Sequence, residues 1–203
     1  MIITLNKLAP RLLTVGLVLE LLVLLLAWQE SSGETTRFFQ GAARLSGRIS
    51  LLLFVFLMIY ATLVPKFDRH SQAFQTKYLL YRDFAIVHVI HWCLLAVSVS
   101  MSHFELLPIR VLGGAIAYGL VVAMPYLMSR STLNIPLLTS IQSAYMFWVW
   151  LIFTMTYTAR LSGSSPINTG SPVAWWPLFS VLILLIFWRS VYLLKGTLKK
   201  GKA

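Results

Sequence analysis

Six apolar runs separated by polar breaks set the frame of this chain. The first, Leu12 to Trp28 within a helix of about residues 11–28, follows Lys7 and Arg11 and is interrupted only by Glu20. The second (49–65) ends at Pro65 with Lys66 beyond it, and the third (83–102) carries His88 and His91 near its middle. The remaining three cover about 111–128, 137–159 and 174–194. A helix needs roughly 17–25 apolar residues to cross a bilayer, and each run meets that length. The pattern therefore predicts an all-α integral membrane protein, a single six-transmembrane-helix bundle over residues 1–203 with no separate soluble domain. No small-x-small cleavage site closes the first run; Trp28, Gln29 and Glu30 follow, which predicts a retained helix rather than a signal peptide. The polar stretch over 29–49 predicts a connection, partly helical, lying along the membrane interface.

Composition sharpens this. Hydrophobic residues make up 58% of the chain and charged residues only 11%, against about 25% charged in a soluble domain. The net charge of +11 comes from 17 Lys and Arg against 6 Asp and Glu. In a soluble protein that excess would point to nucleic acid. Here the basic residues sit between apolar runs, which points to anionic headgroups and to topology, so the expected partner is the lipid bilayer and not nucleic acid. With six crossings, twelve Lys and Arg fall on the side of the termini and five on the other. The positive-inside rule then puts both termini in the cytoplasm, with helices one, three and five running outward. The single Cys93 lies inside an apolar run, reads as a small buried hydrophobe and excludes a disulfide framework. Gly113 and Gly114 favour close helix contact, and Trp175–Trp176 reads as an interfacial anchor.

Chemistry concentrates in the third run. An ionisable side chain at membrane depth is costly and marks a candidate site. His88 and His91 are three residues apart, so they lie about 60° apart around a helix and share a face. Four roles fit them: axial ligation of a haem, which needs one imidazole per side; a metal site, which would want three or four ligands; proton or quinone work; or hydrogen bonding to neighbouring hydroxyls. Glu20 either faces the bundle interior with a partner or marks a site. His70 and His103 flank the bilayer and read as solvated loop residues. No catalytic Ser–His–Asp set, Gly-rich phosphate loop or HExxH occurs, so no hydrolase or nucleotide-binding reading stands.

The order of these features resembles the ferric reductase-like transmembrane family over roughly residues 44–190. The resemblance rests on RLSGR before helix two, on Pro65 at its end, and on the spacing of Lys77, Leu79, Leu80 and His91. Tyr81 stands where the family has glycine. Such proteins hold haem between helix three and two histidines of helix five, but helix five of this chain has none. The corresponding positions are Lys77 with Gln142 at the inner site and His91 with Met155 at the outer one. Methionine serves as an axial ligand in cytochromes, and it also serves as a flexible core filler. The resemblance implies a membrane electron-transfer subunit of the bacterial inner membrane. It would bind one haem b with the iron held by His91, with Met155 and His88 as candidate sixth ligands. Electrons would come from quinol or a cytoplasmic donor, since no flavin or nicotinamide domain exists, and pass to an outward periplasmic or membrane redox partner. The alternative is a haem-free accessory subunit that positions another membrane protein. His91 falls mid-helix and Met155 nearer an outer end, an expected depth mismatch of about one turn.

Overall fold

A computed structural model describes residues 2–64, 68, 70–102, 108–130, 134–163 and 175–200, with side chains outside 2–9, 108–111 and 195–200. The described residues form six helices and no strand: α1 (Ile2–Ser31), α2 (Thr35–Leu63), α3 (Gln72–Ser102), α4 (Pro108–Ser129), α5 (Ile135–Leu161) and α6 (Trp176–Lys200). All six are long and apolar enough to cross a membrane. This is a multi-pass membrane bundle. Pro65, Lys66, Arg69, His103 and the 164–174 stretch lie outside the described residues.

Five helices close a ring in the order α2, α3, α4, α5, α6 and back to α2, and α1 lies against α2 and α3. The ring is filled by aromatic and sulfur side chains. Phe54 of α2 sits 5.7 Å from Phe84 of α3 and 5.4 Å from Phe153 of α5, with Met58, Met124 and Met146 fully buried around them. Leu, Val and Phe side chains elsewhere point outward, as lipid-facing helices require.

Two helices begin well before their apolar runs. The 29–49 stretch is not an interfacial connection: only Ser32, Gly33 and Glu34 separate α1 from α2, and α2 is continuous from Thr35. Its early residues are small or polar because they face other helices. Gly41, Ala42, Ala43 and Ser46 are buried, and a Cβ on Gly41 would meet the Ala27 Cβ at 3.5 Å. Without a hydrophobic drive between helices in lipid, close backbone approach is what such residues supply. Likewise α3 starts at Gln72, eleven residues before the apolar run. Ser71 caps it by accepting from the Phe74 backbone N–H at 3.1 Å, and the Asp68 carboxylate accepts from the His70 N–H at 3.1 Å. His70 itself is exposed.

On α1 the buried positions Leu12, Gly16, Glu20, Val23, Ala27 and Ser31 recur at helical spacing and form one narrow seam. Gly16 lets α1 approach α3 closely, since a Cβ there would stand 3.0 Å from the buried Val87 side chain. Glu20 faces the interior from this seam and accepts a hydrogen bond from Ser46 Oγ at 2.8 Å.

Candidate functional site

The half of the ring nearer the α1–α2 turn holds a cavity of about 620 Å³ between α2, α3, α4 and α5. That falls within the roughly 300–1,000 Å³ of ordinary small-molecule and cofactor sites. Three features define it: two histidines from α3, a glycine from α2 that seats one of them, and arginines at its rim.

His88 is buried and fully engaged. Its Nδ1 lies 2.5 Å from Ser50 Oγ. The ring is stacked between Phe84 (centroids 5.0 Å, planes 24° apart) and Tyr118 (4.6 Å, 23°), with the edge of Phe153 at 5.8 Å. His91, one turn further out, is held differently. It donates to the backbone carbonyl of Ala43, while its Nδ1 is buried with no hydrogen-bond partner. The ring lies over Gly47: a Cβ there would stand 3.0 Å from His91 Cε1 and 3.4 Å from Nε2. One nitrogen tied to a carbonyl and the other unpartnered is the arrangement that fixes the tautomer and direction of an imidazole ligand. The two rings are 5.7 Å apart.

The rim is cationic. Arg44, one turn before Arg48 on α2, pairs with Glu30 at 3.2 Å. Trp175 is clamped between two guanidinium groups, Arg48 at 4.8 Å and Arg160 at 4.5 Å from the ring centroid. That contact corrects the reading of Trp175 as an interfacial anchor, because its ring is almost wholly buried, whereas Trp176 is exposed. On the α4 wall Gly113 lets α5 approach: Trp148 Nε1 donates to the Gly113 carbonyl at 3.4 Å, and a Cβ on Gly113 would meet Ile152 at 3.5 Å. Nothing lies within 4 Å of a Cβ on Gly114.

Met155 borders the same cavity, but from its lip. The side chain is 58% exposed and also lines a shallow groove on the outside of α5 with Thr158 and Ser162. Depth is not the obstacle. Taking the His88–Phe153 contact as a common level, His91 lies three residues outward and Met155 two, a difference of about 1.5 Å. The expected one-turn mismatch is absent, because α3 begins earlier than its apolar run. Direction is the obstacle: Met155 lies about 200° around α5 from Phe153. The same rotation separates Cys93 from His91, and Cys93 is exposed rather than buried.

Among the described residues no hydrogen bond joins Lys77 and Gln142. Both are buried, and Gln142 lies beside the Tyr81 hydroxyl. The residues that sequence reasoning missed are Gly47, Ser50 and the arginine rim. RLSGR contains two of the arginines and the glycine, yet only a helical reading of that stretch would have turned them toward the histidines. Among the described residues no three His, Cys, Asp or Glu gather as a metal site. Comparison with protein-family models, curated proteins and solved structures gave no match.

Proposed function

We propose that this chain is a membrane electron-transfer subunit of ferric reductase-like type. It carries one haem b in the outer cavity and passes electrons from quinol or a cytoplasmic donor to an outward redox partner. The observation that carries this reading is His91: a buried imidazole on a cavity wall, oriented by a backbone carbonyl, with its second nitrogen unpartnered. The donor set fits one axial ligand well. His91 would hold the iron, the arginine rim would take the haem carboxylates, and the apolar α4 and α5 walls would exclude water from the ring faces. Haem supplies one-electron transfer. For a sixth ligand the chain offers His88 or Met155. His88 already contacts Ser50, Phe84 and Tyr118, and Met155 would have to turn inward from the lip.

A purified haem protein of this type absorbs strongly at the visible–ultraviolet boundary, with sharp reduced bands. Protein expressed with ample haem supply is expected to show that spectrum. A folded but colourless product would sink the proposal. The favoured reading would then be a haem-free accessory subunit that positions another membrane protein, for which the absence of any histidine on α5 already speaks.

The orientation rests on charge. In a bacterial inner membrane with both termini cytoplasmic, a reporter fused after Ala203 is expected to be active only as a cytoplasmic fusion. A tag inserted between 161 and 172 should be reachable from outside. An outward C-terminus would reverse the direction of electron flow proposed here.

A further inference from the structure

Glu20 is a buried carboxyl that the haem reading leaves without a task. It stands midway along the Pro10–Ser31 membrane span of α1 and is only 3% exposed. Its Oε1 accepts from Ser46 Oγ of α2 at 2.8 Å, and Ser46 is itself fully buried. The second oxygen, Oε2, is buried with no hydrogen-bond partner. The next turn of each helix adds Val23 and Ile49, which form a buried apolar cluster with Val87 of α3.

Among the described residues no cation pairs with this carboxyl. On α2, Arg44 pairs with Glu30 at 3.2 Å, and Arg48 stacks on the Trp175 ring at 4.8 Å. On α3, Asp83 pairs with Arg82 at 2.8 Å, His88 is bonded to Ser50, and His91 to the Ala43 carbonyl. Arg11 of α1 is exposed, more than two turns away. An ionised Glu20 therefore has no counter-charge at membrane depth, which is costly. A neutral Glu20 has no acceptor for a proton on Oε2. Neither form has its full set of partners, so the charge around the carboxyl decides which one it takes.

That charge is set nearby, because Glu20 and the histidine cavity share one turn of α2. Glu20 is bonded to Ser46, and the His91 ring rests on the next residue: a Cβ on Gly47 would stand 3.0 Å from His91 Cε1. The carboxyl and the imidazole are thus about one helix diameter apart, roughly 10 Å. At that range and an effective dielectric constant of about 20, one unit of charge beside His91 changes the proton affinity of Glu20 roughly tenfold.

We propose that Glu20 is a redox-linked proton site, which takes up one proton when the cavity beside His91 gains an electron and releases it when the electron leaves. This role rests on the haem reading of the cavity. The electron comes from the donor of that reading and the proton from water. The only bond made is O–H at Glu20 Oε2, and reoxidation breaks it and returns the proton to water. Uptake offsets the added negative charge inside an apolar bundle. Ser46 acts as a positioning residue, since its bond to Oε1 leaves Oε2 as the oxygen that exchanges.

The test titrates the potential of the whole purified chain, with its haem, at a series of pH values. Protons favour the reduced state, so the midpoint potential is expected to be higher at low pH, by about 59 mV, the one-electron equivalent of tenfold. Glu20→Gln should keep the haem and lose this dependence, whereas a merely structural carboxyl would shift the potential equally at every pH. Should that variant fail to fold, Ser46→Ala carries the test: it keeps the carboxyl and should move the pH at which the potential changes. In redox-difference infrared spectra of the parent, a carboxyl C=O band should appear on reduction and be missing in Glu20→Gln. A potential independent of pH in the parent, a dependence that survives in Glu20→Gln, an unmoved step in Ser46→Ala or the absence of the carboxyl band would each overturn the proton site and leave the haem reading standing. A folded parent without haem would overturn both.

Discussion

In His91→Ala the haem absorbance is expected to fall by at least roughly tenfold, while His88→Ala keeps most of it and unfolds earlier. The two side chains sit one turn apart on the same helix face, so their separation tests roles rather than location. His91 ends in a buried nitrogen with no partner, and removing it would take away the residue that would hold the haem. His88 is structural in its surroundings. Its removal leaves Ser50 Oγ without its partner and deletes two stacked aromatic contacts. Each such contact contributes about 0.5–1.5 kcal/mol, and an unsatisfied buried hydroxyl adds about 1–3 kcal/mol. The expected result is a destabilised but coloured protein. The reverse outcome, colour lost in His88→Ala and kept in His91→Ala, would transfer the ligand role to His88 Nε2. Loss of colour in both variants at full stability would point to both rings as ligands and to movement of His88 away from Ser50.

The bundle was legible in the sequence because hydropathy alone marks a crossing, and each of the six apolar runs corresponds to one helix. Helix starts were less legible. The Ser-, Gly- and Arg-bearing stretch before Ile49 reads as a polar connection on a hydropathy scale, yet in a membrane bundle such residues belong at helix–helix contacts. Reading it as loop hid the relation of Gly47 and Arg44 to the histidine cavity. Glu20 was legible as an inward-facing residue, since lipid excludes a carboxylate, but its partner Ser46 lay in the misread stretch. The histidines were found from their depth. What separates them is which ring nitrogen has a partner, and that depends on the α2 backbone carbonyl of Ala43, which no side-chain pattern encodes. Met155 shows the opposite limit. Its position along the helix was close to right, and only the rotation of α5, fixed by the packing of Phe153 against Phe54, turned it toward the lip.

Gly47 offers the sharpest separation between a seated imidazole and a merely buried one. A Cβ at this position would lie 3.0 Å from His91 Cε1, 3.4 Å from Nε2 and 3.6 Å from Nδ1, so the entire leading edge of the ring rests on the glycine. Gly47→Ala forces a displacement of a few tenths of an ångström. Gly47→Val adds two further carbons in the same direction, and overpacking of that kind costs about 1–3 kcal/mol. Part of the loss is recovered if the ring swings off Ala43 into the cavity, but that movement breaks the bond that sets its tautomer. Haem occupancy is therefore expected to fall modestly in Gly47→Ala and by roughly tenfold or more in Gly47→Val. The thermal midpoint should shift by only a few degrees. The loss should be specific to the cavity that His91 lines. A Gly47→Val protein with full haem content would mean that the iron is held elsewhere, because no rotation about α3 lets His91 keep both its bond to Ala43 and its present ring position.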